Sequence, residues 1–277
     1  MVDEAEEVLR SGELEILGRI PTASNATLVC DAVLGDRSVR CVYKPVRGEV
    51  PLWDFPDGTL AGREVASYLV SQALGWGAIP TTILRDGPAG VGMVQRWIDT
   101  PDPDRPDPTR PDAPGSRLDL VDLTPSGAVP PGFRSVLQAL DGDGELVELV
   151  HADDPRLLRL AVLDAVLNNA DRKGGHVLEG LDGQVYGVDH GICLHSENKL
   201  RTVLWGWAGE PIPGHLVADL DDLATGLAGT ASPLRTELAG HITDAEIDAL
   251  IVRVGALVQS AEMPLPPGRR PIPWPPF

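Results

Sequence analysis

Asp171 and Asp189 stand eighteen residues apart, and His176 follows the first of them by five. They lie in the runs Asn168-Asn169-Ala170-Asp171-Arg172-Lys173-Gly174-Gly175-His176 and Val188-Asp189-His190-Gly191. Two carboxylates, an imidazole and two cations in this order suit phosphoryl transfer, a chemistry of positioning and charge neutralisation. Asp189 would bind the divalent ion that bridges the phosphates. His176 or Asn169 would complete the metal shell or orient the γ-phosphate. Asp171 would accept the proton of the attacking hydroxyl, and Arg172 or Lys173 would steady the transferring group. The intervening Gln184 to Val188 reads as a short strand that delivers Asp189 to a cleft.

Elements upstream must position the nucleotide. Glu13 to Ile20, Thr27 to Leu34 and Ser38 to Val46 read as three antiparallel strands, with Gly35-Asp36-Arg37 as the turn between the last two. Lys44 falls near the end of the third. Leu60 to Leu74 has helical character, with Val65, Leu69 and Ala73 at spacing four, and carries Glu64. A strand lysine held by a helix glutamate is the other half of a kinase nucleotide site, where the lysine neutralises the α/β-phosphates. Pro21 to Ala26 lies where a kinase covers the phosphates. It is not Gly-rich; it resembles phosphatidylinositol-type kinases, which use Ser and backbone N–H groups there, and the resemblance implies that Ser24 and Asn25 contact phosphate, against a plain hairpin turn as the alternative. Thr81 to Leu84 and Gly92 to Ile98 read as two more strands. The second sits at the hinge position, with Gln95 and Trp97 as the main-chain contacts to the adenine edge, to within one residue.

On these residues the chain resembles an atypical kinase of the phosphatidylinositol 3-/4-kinase-like group, and more narrowly an actinobacterial family labelled phosphatidylinositol kinase-like. The resemblance covers roughly residues 13 to 260, and its most specific parts are Asp171-Arg172 and Val188-Asp189-His190-Gly191. In phosphatidylinositol kinases the loop reads Asp-Arg-His-x-x-Asn; this chain has Lys173 for the His and His176 for the Asn. The resemblance implies an α+β, two-lobed protein-kinase-like fold: an N-terminal antiparallel sheet with one helix, then a mainly helical C-terminal lobe. It implies ATP with Mg²⁺ or Mn²⁺ as cofactors and a hydroxyl acceptor, with a nucleotide-binding pseudokinase of regulatory role as the alternative. Imidazole at position 176 suits softer metals better than the amide it replaces.

The lobes divide as residues 1–98 for nucleotide binding, a Pro- and Asp-rich insert over 99–134, a catalytic lobe over 135–263 and a Pro-rich tail over 264–277. Ser135 to Leu140 and Glu145 to His151 read as a hairpin. Asp153 or Asp154 caps a helix that begins at Pro155, is apolar on most sides and ends at Asn168-Asn169. Leu216 to Leu227 and Asp244 to Gln259 read as later helices. Between them and Asp189, Ile192 to Gly209 would be the activation segment. Its Trp205-Gly206-Trp207 would either touch a membrane interface or pack on the lobe.

At 277 residues, with 43% hydrophobic content, the chain can bury a sizeable core. Three cysteines without metal spacing suit reduced thiols, and an acidic N-terminus with no long apolar run points to a soluble, cytoplasmic protein. The formal net charge of −18 repels nucleic acid and anionic lipid. A protein or a small polar molecule is therefore the expected acceptor, not phosphoinositide. Co-sedimentation with phosphatidylinositol-containing vesicles should be weak even at low salt, where attraction is least screened. Tight binding with transfer of label to the lipid would overturn this charge argument.

Overall fold

The computed structural model describes residues 4–21, 23, 25–101, 119–229 and 232–277. Ser24 and residues 102–118 of the expected insert lie outside them.

The first half is built on a five-stranded sheet in the order β1-β2-β3-β5-β4, antiparallel throughout: β1 Glu13–Arg19, β2 Leu28–Leu34, β3 Arg37–Pro45, β4 Thr82–Gly87 and β5 Gly90–Arg96. The two-residue turn between β2 and β3 places Gly35 at φ 65°, which glycine adopts without a Cβ penalty. Side chains alternate along β3. Cys41 and Tyr43 enter a core with Ile83 and Val94, which α1 (Glu4–Ser11) closes with Val8 and Leu9. Lys44 must then face the other side of the sheet. There Met93, its partner on β5, packs against Ala61 and Val65 of α2 (Leu60–Ala73). Glu64 lies between those two on the same helical face. The one helix anticipated on this sheet thus has a second beside it, α1, whose largely acidic sequence hides an apolar pair.

A three-stranded sheet follows, in the order β6-β8-β7: β6 Val121–Pro125, β7 Phe133–Leu140 and β8 Leu146–Ala152. The hairpin is present as the sequence suggests, and β6 adds a third strand from within the stretch read as insert. Val121 and Leu149 carry this sheet into the large core of the second half.

That half contains α3 (Pro155–Leu167), the short hairpin β9 (Val177–Glu179) and β10 (Val185–Gly187), α4 (Gly214–Leu227), α5 (Pro233–Leu238) and α6 (Asp244–Ser260). Asp154 caps α3 through the Arg156 N–H, with Pro155 in the first turn. Thr243 and Glu246 form a capping box on α6. Arg63 of α2 pairs with Glu246 at 2.6 Å, both side chains buried, and also donates to the carbonyls of Cys193 and Asp57. The helix that carries Glu64 is thereby tied to the helical half. Trp205 and Trp207 are buried, so the Trp-Gly-Trp run packs on the lobe. The cysteines are free and buried, and burial raises each thiol's pKa.

His151 ends β8 fully buried. Its Nδ1 lies 3.0 Å from the Ala152 carbonyl and its Nε2 accepts from the Gly206 N–H at 3.0 Å, beside the Trp207 ring. Burial holds the imidazole neutral, with a pKa lowered to about 4. The unfolded chain therefore binds a proton near pH 6.5 that the folded chain refuses until about pH 4, so stability is full above that window and falls through it. His151→Gln should remove about one proton from the slope, ~1.4 kcal/mol per pH unit, in urea titrations between these limits. An unchanged slope would place the acid sensitivity elsewhere.

Candidate active site

The hairpin β9–β10 explains why His176 and Asp189 meet. Val177 pairs with Gly187 at its open end, and the Val188 N–H donates to the His176 carbonyl at 3.0 Å. The residues flanking the two strands are therefore neighbours. His176 Nε2 lies 3.4 Å from Asp189 Oδ2. The other Asp189 oxygen, Oδ1, takes the Lys44 ammonium at 2.5 Å, and Lys44 reaches Glu64 Oε1 at 2.7 Å. Four of the residues singled out by order in the sequence thus form one cluster at the junction of the sheet and the helical half.

Burial by itself would lower the Lys44 pKa, but the charges of Glu64 and Asp189 outweigh it and the ammonium is held more firmly protonated. Lys44 in turn holds the Asp189 carboxyl well below the usual range. The Asp189 side chain is 51% exposed, and the Glu64 side chain 3%. Lys44 is thus anchored at its buried end and shared at its open end. Asp189 takes φ 63°, in the left-handed region that non-glycine residues seldom occupy outside constrained sites.

His176 Nδ1 lies 3.0 Å from the Asp171 carbonyl, an acceptor only, so Nδ1 carries the proton and Nε2 presents a lone pair. Burial lowers its pKa to about 4, and the ring is neutral at pH 7. A neutral Nε2 and an ionised carboxylate facing each other at this distance make an unfavourable contact unless a cation lies between them. The orientation of the ring by a carbonyl on its other nitrogen is that of a metal-binding imidazole. Among the described residues no three His, Cys, Asp or Glu side chains converge to hold an ion without further ligands. The pair therefore fits a cation that takes its remaining ligands from phosphate and water, as Mg²⁺ and Mn²⁺ do with nucleotides.

Asp171 stands on the same loop with Lys173 Nζ 3.5 Å from its Oδ2. Burial raises its pKa, which favours proton uptake.

The remaining sequence candidates sit differently. Arg172 does not reach outward: it is fully buried and ion-paired with Asp164 at 3.0 Å. Its guanidinium also donates to the carbonyls of His176 and Val188 and to His190 Nε2. It shapes the loop and has no hydrogen left for a transferring group. Asn169 is likewise turned inward. Its amide donates to Asp164 and its oxygen accepts from the Asp171 N–H, so both polar groups are spent on supporting the loop. Gln95 is buried between β3 and β4 and donates to Thr82. The Trp97 N–H is spent on the Arg40 carbonyl. Neither joins the cluster. Asn25 Oδ1 accepts from the Val50 N–H and fixes its loop against the chain leaving β3.

Asp164 was missed by sequence reasoning, although a carboxylate inside the apolar run Leu157 to Leu167 signals a buried partner. It receives Arg172, the Asn169 amide and the Thr202 hydroxyl, and so joins α3, the loop and the segment 192–209. Asn168, in the left-handed conformation at the end of α3, binds the backbone of His195, Glu197 and Lys199.

The sequence is 58% identical over 275 residues to Protein Rv2133c of Mycobacterium tuberculosis, spanning 99% of this chain and 96% of that one. No family model matches it. A crystal structure of the Helicobacter pylori proinflammatory kinase CtkA aligns over 92% of this chain and 94% of its own, with a TM-score of 0.41 and 9% identity.

Removing one partner of a fully buried ion pair leaves the other charge unpaired, at a cost of roughly 3–5 kcal/mol. Asp164→Ala should therefore lower stability by about that much in urea unfolding, whereas Lys173→Ala, at the surface of the same loop, should change it by less than about 1 kcal/mol. Equal small losses would refute the structural role assigned to the Arg172–Asp164 pair.

Proposed function

We propose an ATP-dependent phosphotransferase activity for this chain, which belongs to the family of the Mycobacterium tuberculosis protein Rv2133c. One observation carries the proposal: Lys44 is shared between buried Glu64 and half-exposed Asp189, while the second Asp189 oxygen faces the unprotonated nitrogen of His176. A protein-kinase-like nucleotide and metal site would need this arrangement, and the antiparallel sheet followed by a helical half supports this reading. The phosphatidylinositol kinase-like resemblance of the sequence supports the same reading. The acceptor proposed on charge remains a protein or small-molecule hydroxyl.

In this reading nucleotide supplies the phosphoryl group, and a divalent ion offsets the charge of its phosphates. Lys44 swings its open end from Asp189 to a phosphate oxygen while Glu64 keeps hold of it. Asp189 and His176 Nε2 are the residues that would hold the divalent ion. Asp171 takes the proton of the attacking hydroxyl, and Lys173, beside it, neutralises negative charge on the group in transit. Gln95 and Trp97 being committed within the sheet, the adenine edge falls to the main chain of Ile98, one residue on, which makes no backbone hydrogen bond among the described residues.

Ligand that binds only the folded state stabilises it by mass action. MnATP or MgATP at a hundredfold excess over Kd should add about 2.7 kcal/mol, a rise of roughly 5 °C in melting temperature. Asp189→Asn should abolish the metal-dependent part of that rise, and Asp171→Asn should leave it. His176→Asn should move the metal preference from Mn²⁺ towards Mg²⁺. No shift and no calorimetric heat at millimolar nucleotide would reject the proposal. Binding without transfer to any acceptor would favour a regulatory pseudokinase.

A further inference from the structure

The proline-rich segment 264–277 does not lie idle on the surface. It leaves α6 beside the activation segment, where Met263 and Glu262 pair with residues 209–211. The Pro271 carbonyl then accepts both the Thr202 N–H at 3.1 Å and the Trp205 indole N–H at 2.7 Å. At its far end the Pro276 carbonyl accepts the Gly174 N–H at 2.8 Å. There the Phe277 ring lies so close to Gly174 that a Cβ on that residue would overlap it.

Gly174 is the middle of the loop between Asp171 and His176. The ends of that loop are fixed by the chain around them: the Asp171 N–H by Asn169, the Arg172 N–H by the Arg201 carbonyl, and the His176 side chain by the Asp171 carbonyl. Its centre is two consecutive glycines, the residues that lose most freedom on ordering. Among the described residues, the bond from Gly174 to Pro276 is the hydrogen bond that ties this centre to another part of the chain. Prolines suit the strap because their fixed φ limits the freedom it must lose, and because its two anchoring groups are carbonyls, which proline retains. Phe277 is 45% exposed, so the ring is not a core residue that meets the loop by chance.

We propose that Phe277 is a positioning residue: the strap that carries it holds Gly174, at the loop centre, and so fixes the spacing of Asp171 and His176. The proposal rests on the phosphotransferase reading for its catalytic meaning and on the strap contacts alone for its structural one. Trp274, 78% exposed on the same segment, is the internal control.

The test combines hydrogen exchange of the peptide covering residues 171–176 with steady-state turnover of MnATP, water serving as acceptor. Phe277→Ala should speed exchange of the loop at least tenfold and lower kcat at least tenfold. KM for MnATP should stay within twofold and exchange elsewhere should be unchanged. Phe277→Tyr should restore both readouts, and Trp274→Ala should alter neither. Gly174→Ala should reproduce the loss, and in the Gly174→Ala/Phe277→Ala double variant the defect should be no larger than in Phe277→Ala alone, since the overlap is gone. Unchanged loop exchange in Phe277→Ala would overturn the strap. Faster exchange with unchanged kcat would overturn its positioning role. A wild-type chain that binds no MnATP would instead remove the phosphotransferase reading, and with it the catalytic part of this inference.

Discussion

The buried ion pair between Asp164 and Arg172 is the contact on which the site's shape depends. Both side chains are fully excluded from solvent. Two charges removed from water are tolerable only when every donor and lone pair finds a partner. Here that demand becomes architecture. The Asp164 carboxylate gathers Arg172, Asn169 and Thr202, and the Arg172 guanidinium gathers the carbonyls of His176 and Val188 and the ring of His190. Helix, loop, hairpin and the segment 192–209 are thereby set against one another, and the backbone that carries Asp171, His176 and Asp189 is held by this knot.

Lys44 makes the corresponding link from the sheet. Strand alternation sends it to the face that α2 covers, where Glu64 is buried and fixed, while Arg63 ties the same helix to α6 through Glu246. The cluster therefore spans both halves, and its ammonium is held by a buried carboxylate on one side and a half-exposed one on the other. An ammonium anchored by a buried carboxylate and shared with an exposed one can exchange the second partner for a phosphate without leaving the first. The His176–Asp189 contact points the same way, because a lone pair facing a carboxylate is relieved by a positive charge between them, a proton or a metal ion.

Some of this was legible in the sequence because spacing and order carry it. Lys44 on an alternating strand, Glu64 on a periodic helix and Asp189 after a short strand all appear where the pattern puts them. So do the three N-terminal strands and the helix that begins at Pro155. What the sequence did not disclose is which polar residues turn inward. Asn169 and Arg172 have the right types for chemistry, but burial assigns them to the scaffold, and burial follows from a long-range partner, Asp164. The helix at Glu4–Ser11 carries a helical spacing in Ala5, Val8 and Leu9, but the segment is short and three of its eight residues are glutamates, and its apolar stripe matters only against the sheet. The strand at Val121–Pro125 is short and follows a Pro- and Asp-rich run, so its pairing with β8 leaves no local sign. The meeting of Phe277 with Gly174, over a hundred residues apart, has no sequence signature beyond the glycine itself.

The account turns on where a cation and a phosphate go. A crystal structure of the chain with Mn²⁺ and a non-hydrolysable ATP analogue tests this most directly, with anomalous scattering to locate the metal. The account predicts manganese between Asp189 and His176 Nε2, with Lys44 turned from Asp189 to a phosphate oxygen and still bonded to Glu64. Manganese elsewhere with His176 turned away, or nucleotide bound without displacing Lys44 from Asp189, would contradict it.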